Sequence, residues 1–144
     1  MKKVVVDSSV AIKWFVPQPY STEARTILNG YQNGTLAILT PDLIYAEVGN
    51  IVWKLQRFQD LSQEDADDIL DAFKEIEFEI TASSSLLADA YRLAVDYQRT
   101  VYDSLYIALS LQQKCPFVTG DRKLVNSVSN SLPNVIGIEQ WTEK

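Results

Sequence analysis

The chain has 144 residues, a net charge of −6 and a sequence pI near 4.6, and hydrophobic residues make up 47% of it. This composition predicts one globular domain over residues 1–144, and the acidity argues against nucleic-acid binding through a broad basic surface. The absence of histidine excludes His-dependent nucleases and Ser-His-Asp hydrolases, because the commonest general base is missing. A single cysteine, Cys115, excludes an internal disulfide and favours a reducing cytoplasm.

The N-terminal half alternates short apolar runs with helical patterns. Strands are predicted over residues 3–6 and 36–40, because both runs are short and rich in apolar residues. Helical patterns begin at residue 10, at residue 21 (ending near residue 29), at residue 42 and at residue 62 (ending near residue 75). The first residues lack the long apolar segment and the cleavage site of a signal peptide.

The C-terminal half continues the alternation. Residues 76–80 predict a half-exposed edge strand, and 116–119 and 135–138 predict further strands. Helices are predicted over 83–97, 100–113 and 122–129. Strands that alternate with helices indicate an α/β fold, a three-layer domain with a central parallel sheet of about five strands and helices on both faces.

The helix predicted over 100–113 is apolar on most sides and carries one acid, Asp103, near its start. Such a helix is usually buried in a domain core, and this one is too short and too interrupted to cross a bilayer. A carboxylate is costly to bury alone, so Asp103 should have a partner.

Three other acids are predicted at the same end of the sheet. Asp7 follows the first strand, Asp121 follows the strand at 116–119, and Glu47 lies about one turn into the helix after the second strand. Ligands of open parallel sheets bind outside the carboxyl ends of the strands. Four carboxylates repel one another, and Mg²⁺ or Mn²⁺ would relieve this because both prefer oxygen ligands. The pattern predicts a site for one or two ions, suited to phosphodiester hydrolysis without a histidine base.

Each acid also has an ordinary structural explanation. Asp7 and Asp121 both precede a helix and could be N-caps, and Glu47 could be a surface acid. The helix dipole favours Asp103 by about 0.3–1 kcal/mol, which is small against the several kcal/mol that burying a carboxylate costs. The placement of all four at one end of the sheet favours a functional site over four separate structural roles.

At these residues the sequence resembles PIN domains, and more narrowly the VapC-type toxin ribonucleases of prokaryotic toxin–antitoxin pairs. The resemblance rests on four motifs in family order, which are VVDSS at 5–9, AEVGN at 46–50, YDSLYIAL at 102–109 and VTGDRKL at 118–124. Each motif is weak alone, but the ordered set covers nearly the whole chain.

The resemblance implies a Mg²⁺- or Mn²⁺-dependent endoribonuclease whose metal is held by the four acids. It also implies a homodimer and a small antitoxin protein that binds and inhibits it. The residues carried over as supporting polar groups are Ser9, Asn50 and Thr119. Candidate RNA phosphate contacts are Lys13, Lys54, Arg122 and Lys123, each of which is also an ordinary surface residue.

Other interpretations remain beside this one. A receiver-type phosphoacceptor domain should carry paired acids after the first strand, and phosphatases of the haloacid dehalogenase type need a second acid where Ser9 stands. A third alternative is a catalytically inactive PIN-like module that binds RNA or protein. Trp14, Phe15 and Tyr20 could form a partner surface, stack on bases, or pack in the core.

Overall fold

Strands and helices alternate along residues 1–142, which are the residues that the computed structural model describes; residues 143 and 144 of the predicted domain lie outside them. The strands are β1 (Lys2–Val6), β2 (Leu36–Pro41), β3 (Glu79–Thr81), β4 (Phe117–Thr119) and β5 (Val135–Gly137). The α-helices are α1 (Ser8–Ala11), α2 (Ser21–Gln32), α3 (Leu43–Phe58), α4 (Gln63–Lys74), α5 (Ser83–Tyr97), α6 (Val101–Gln113) and α7 (Arg122–Val128). Short 3₁₀ helices follow α1 (Ile12–Trp14) and β5 (Ile138–Gln140).

The five strands form one parallel sheet in the order β3-β2-β1-β4-β5. The chain adds β2 and β3 on one side of β1 and then β4 and β5 on the other. The strand order therefore reverses between β1 and β4, which is where open parallel sheets bind ligands. The predicted α/β fold with a central sheet of about five strands is confirmed.

Apolar clusters cover both faces of this sheet, because alternate residues of each strand point to opposite faces. In β1, Val4 and Val6 pack with α1 to α4, whereas Val5 packs with α5 to α7. Helix α6 is buried over residues 104–110, as its apolar sequence predicts. Cys115 is also buried, and burial raises the pKa of its thiol.

The aromatic residues after α1 divide between core and surface. Trp14 is buried, stacks on Phe78 and donates from Nε1 to the carbonyl oxygen of Ala24 at 2.8 Å. Phe15 packs edge-on against Trp14, whereas Tyr20 is 42% exposed. Core packing is therefore the role of Trp14, and Tyr20 remains available to a ligand or partner.

The edge strand is shorter and later than predicted, because β3 covers Glu79–Thr81 rather than 76–80. The amide of Ile76 bonds back to Phe73, and the amide of Phe78 bonds to Ile76, so these residues form a turn after α4. Helix α2 is longer than predicted, because it continues past Gly30 and ends before Gly34, which has a φ of +76°. Within residues 1–142, no helix is both long and apolar enough to cross a membrane.

Candidate active site

Asp7 lies at the point where the strand order reverses, directly after β1 and at the N-cap of α1. Its Oδ1 accepts hydrogen bonds from the amides of Ser9 and Val10 at 3.1 and 3.3 Å and from the Ser9 hydroxyl at 2.5 Å. Its Oδ2 accepts from the hydroxyl of Thr119 at 2.6 Å. The side chain is only 8% exposed, and this burial raises its pKa to about 6, although the hydrogen bonds act in the opposite direction.

Two hydroxyl groups connect Asp7 to the loop after β4. The Ser9 hydroxyl donates to Asp7 and accepts from the amide of Gly120 at 2.7 Å. The Thr119 hydroxyl donates to Asp7 and accepts from the amide of Asp121 at 3.1 Å. A Cβ at Gly120 would lie 3.0 Å from the Ser9 Oγ, so glycine permits this close approach. The predicted supporting roles of Ser9 and Thr119 correspond to these contacts.

Glu47 projects from the second turn of α3 and is half-buried. Its Oε1 accepts a hydrogen bond of 2.5 Å from the hydroxyl of Tyr106 on α6. Burial raises the pKa of Glu47, and the charge of Asp103 adds to this. Burial together with the charge of Glu47 raises the pKa of Tyr106, so this hydroxyl remains a hydrogen-bond donor. Tyr106 thus fixes one oxygen of Glu47, and its ring is held by stacking on Phe117.

Asp103 and Asp121 share a cation that the sequence analysis did not identify as their partner. One terminal nitrogen of Arg99 lies 3.2 Å from the Asp103 Oδ2 and 3.7 Å from the Asp121 Oδ2. Asp121 is also the N-cap of α7, because its Oδ1 accepts from the Leu124 amide at 3.1 Å. The N-cap explanation is therefore correct for both Asp7 and Asp121, in addition to their place at the carboxyl edge of the sheet.

The donor atoms at this edge fit a hard divalent cation, since they are carboxylate and hydroxyl oxygens. Asp7 and Glu47 are the acids with the greatest need for a counter-charge, because neither forms an ion pair among residues 1–142 and burial raises the pKa of both. Within the same residues, no three acidic side chains are grouped closely enough to form a complete set of metal ligands. The four-acid metal site stays a prediction.

The other predicted site residues differ in their exposure and in their contacts. Lys13 is buried, its Nζ donates to the Gln18 Oε1 at 3.3 Å, and burial lowers its pKa while the charge of Asp7 opposes this. Three candidates are exposed and pair with none of the four acids in the described part of the chain, namely Lys54, Arg122 and Lys123. Asn50 is exposed as well, and within residues 1–142 its side chain makes no hydrogen bond to these acids.

Two residues of the site, Arg99 and Tyr106, were missed in the sequence analysis. Both stand at helical spacing from Asp103, Arg99 four residues before it and Tyr106 three residues after it. Side chains at these spacings are neighbours on a helix surface, so the spacing was an available signal.

Comparisons with known proteins identify the family of this chain. Residues 4–127 match the PIN domain family. Ribonuclease VapC3 from Pyrobaculum aerophilum is 32% identical over 124 residues, which cover 85% of this chain and 92% of the relative.

Solved structures share the fold. The crystal structure of PAE2754 from P. aerophilum matches with a TM-score of 0.72 and 20% identity, covering 96% of this chain and 85% of the other. A toxin–antitoxin complex from Klebsiella pneumoniae matches with a TM-score of 0.62 and 13% identity, covering 92% and 94%. Since the family match spans most of the sequence, this chain belongs to the PIN domain family.

Proposed function

We propose that this chain is a metal-dependent endoribonuclease of the toxin–antitoxin type. The observation that carries the proposal is Asp7, a buried carboxylate that the fold fixes through four hydrogen bonds at the switch point of the sheet. The relative named Ribonuclease VapC3 supports ribonuclease activity. The alternative of a catalytically inactive binding module is not favoured, because the relative that is 32% identical is named a ribonuclease.

The four acids Asp7, Glu47, Asp103 and Asp121 would hold the cation, Mg²⁺ or Mn²⁺. When bound, a divalent cation supplies positive charge for the phosphodiester and makes water a stronger nucleophile at neutral pH. Ser9 and Thr119 orient the Asp7 carboxylate, and Tyr106 orients Glu47. Outer residues that orient ligands in this way commonly affect metal affinity or activity by 10–100-fold.

Chelation of divalent ions is expected to lower RNA cleavage by the purified chain by roughly 10³-fold, because a catalytic metal contributes several kcal/mol. Added Mg²⁺ or Mn²⁺ should restore cleavage. The measurement is sequencing of new RNA 5′ ends, with and without EDTA, for the wild type and Glu47→Gln. New ends that persist in EDTA or in the variant would refute cleavage at this site.

Contact with RNA is proposed to be local rather than spread over a basic surface. Lys13 is the best placed of the four basic candidates, because its Cε lies 3.4 Å from the position a Cβ would take at Gly120. Arg122 and Lys123 follow Asp121 directly on the exposed start of α7. Lys54 is exposed on α3 and is the fourth candidate.

An antitoxin partner and a cytoplasmic location are part of the proposal. The partner is supported by the similarity to a fold seen in a toxin–antitoxin complex. A small reading frame next to the gene, whose product restores growth of cells expressing the chain, is the expected finding. Failure of every neighbouring product to bind the chain and restore growth would count against the toxin role.

We also propose a homodimer that buries an apolar stripe on α5. Leu87, Tyr91 and Val95 follow one another at four-residue spacing and are each more than half exposed. Exposed apolar patches of this kind are typical of protein interfaces. Light scattering should show a dimer for the wild type and a monomer for Tyr91→Glu, while Arg92→Glu on the same helix stays dimeric. A dimeric Tyr91→Glu would place the interface elsewhere.

A further inference from the structure

Arg99 is placed so that its charge serves two acids of the site at once. It lies in the connection between α5 and α6, where Gln98 has a φ of 54° and Thr100 caps α6 by accepting from the Asp103 amide at 3.0 Å. The Arg99 amide itself bonds to the carbonyl of Ala94 at 3.2 Å. The short, hydrogen-bonded connection holds the guanidinium beside Asp103 and Asp121.

The Arg99 side chain divides the four acids into two pairs with different surroundings. Asp103 and Asp121 are partly exposed and share the single positive charge of the guanidinium. Asp7 and Glu47 are more deeply placed, have no ion-pair partner among residues 1–142 and repel each other. The contacting oxygens are the Oδ2 atoms, and in Asp121 the other oxygen, Oδ1, is engaged in capping α7. Arg99 therefore lies beside Oδ2 of Asp121, which is the oxygen of this carboxylate that does not cap α7.

The hydrogen bonding of Arg99 is incomplete. Its Nε is buried and has no acceptor within the described residues. A buried donor without a partner is unfavourable, so the resting position is stabilised by charge and not by a full set of hydrogen bonds. Displacement of such a group by a divalent cation costs less than displacement of a fully bonded one.

We propose that Arg99 is a built-in counterion that competes with a divalent cation for Asp103 Oδ2 and Asp121 Oδ2. The inference rests on the proposed metal-dependent function, and it assigns to the chain itself a control over metal affinity. In the absence of metal, Arg99 stabilises the acidic site; when metal binds, the guanidinium moves away from these two oxygens. Both effects follow because one positive group replaces another on the same carboxylates.

Titration calorimetry with Mn²⁺ tests the competition. Arg99→Gln is expected to bind Mn²⁺ roughly three- to ten-fold more tightly than the wild type, because the cation no longer has to displace two partly exposed ion pairs. Its melting temperature without metal should fall, and the increase on adding Mn²⁺ should be larger. Arg92→Gln is the matched control, since it removes the same charge from an exposed position on α5 and should bind Mn²⁺ within about two-fold of the wild type.

A second measurement uses the wild type and does not depend on the variant folding. The Nε–H resonance of Arg99 in a proton–nitrogen NMR spectrum should shift and exchange faster with water when Mg²⁺ is added. Mg²⁺ binding that leaves this resonance unchanged, or equal Mn²⁺ affinity in Arg99→Gln and the wild type, would overturn the competition while leaving the metal site intact. Absence of Mn²⁺ binding by every variant would instead refute the metal-dependent function and the competition with it.

Discussion

Asp7→Asn is expected to abolish RNA cleavage and, in metal-free buffer at pH 7.5, to make the folded chain more stable. Cleavage should fall by at least roughly 10³-fold, because the substitution removes the charge that the fold places at the switch point. Burial raises the pKa of Asp7 to about 6 from its ordinary value of 3.8, so folding favours its protonated form. Above about pH 6 the folded state holds a buried charge, and a neutral asparagine avoids that cost of up to roughly 3 kcal/mol. Loss of the hydrogen bond from the Thr119 hydroxyl, which the asparagine NH2 group cannot accept, should reduce this gain by about 1 kcal/mol.

The direction in which the free energy of unfolding changes with pH tests whether burial of the Asp7 charge is the cause of this stabilisation. Because the folded-state pKa is raised, the free energy of unfolding of the wild type should fall as the pH increases from about 4 to about 6. The advantage of Asp7→Asn should therefore disappear near pH 4, where the wild-type carboxyl is also protonated. Urea unfolding at pH 4 and 7.5, both with EDTA, measures this difference.

Asp42→Asn is a control substitution whose effect on stability should have the opposite sign. Asp42 follows β2 at the same edge of the sheet, but hydrogen bonds from the Ser83 hydroxyl and amide lower its pKa. Its loss should lower stability at pH 7.5 and have less effect at low pH, where the wild-type carboxylate is protonated. An equal gain for Asp7→Asn at both pH values would contradict a cost due to burial of charge, and retained cleavage would remove Asp7 from the catalytic site.

Thr119→Val is the second substitution with a large expected effect. The Thr119 side chain is fully buried, donates to Asp7 Oδ2 and accepts from the Asp121 amide. Valine keeps the shape but leaves both partners without their hydrogen bond, at a cost of about 1–3 kcal/mol for each buried group. We expect a loss of roughly 2–4 kcal/mol in the free energy of unfolding and of 10–100-fold in cleavage.

Thr119→Ser is the matched control, because it retains the hydroxyl and removes only a methyl group. It should lose less stability than valine and keep most of the cleavage activity. Urea unfolding and RNA cleavage assays at constant Mn²⁺ concentration measure both effects. If valine cleaved RNA as well as serine did, the Thr119 hydroxyl would have no part in positioning Asp7.

The secondary structure and the α/β class follow from local patterns that are strong in this chain. Helix α5 begins and ends where its pattern predicts, and α6 is as buried as its apolar sequence requires. The edge strand β3 was predicted too early, because an alternating pattern does not distinguish a strand from a turn that buries Phe78. Pairing with β2 decides where this strand begins.

The predicted partner of Asp103 shows where sequence reasoning stopped. The crowding of four acids suggested a metal ion as that partner. In the structure, Asp103 instead forms an ion pair with Arg99. Arg99 is four residues away in sequence, but its contact with Asp121 is between groups 22 residues apart and depends on the packing of α6 beside β4. Asp103→Asn would therefore remove an ion pair with Arg99 as well as a negative charge, so the two effects on stability oppose each other.

The sequence by itself determined the family, the order of strands and helices, and the positions of Asp7 and Asp121 after strands, because these depend on local pattern and on motifs. The tertiary structure decided that Asp7 and Glu47 form no ion pair within residues 1–142, whereas Asp103 and Asp121 share Arg99. It also brought the Thr119 hydroxyl to Asp7 and the Tyr106 hydroxyl to Glu47 across 112 and 59 residues. Such contacts depend on side-chain direction and burial to within an ångström, which only the packed sheet and helices define.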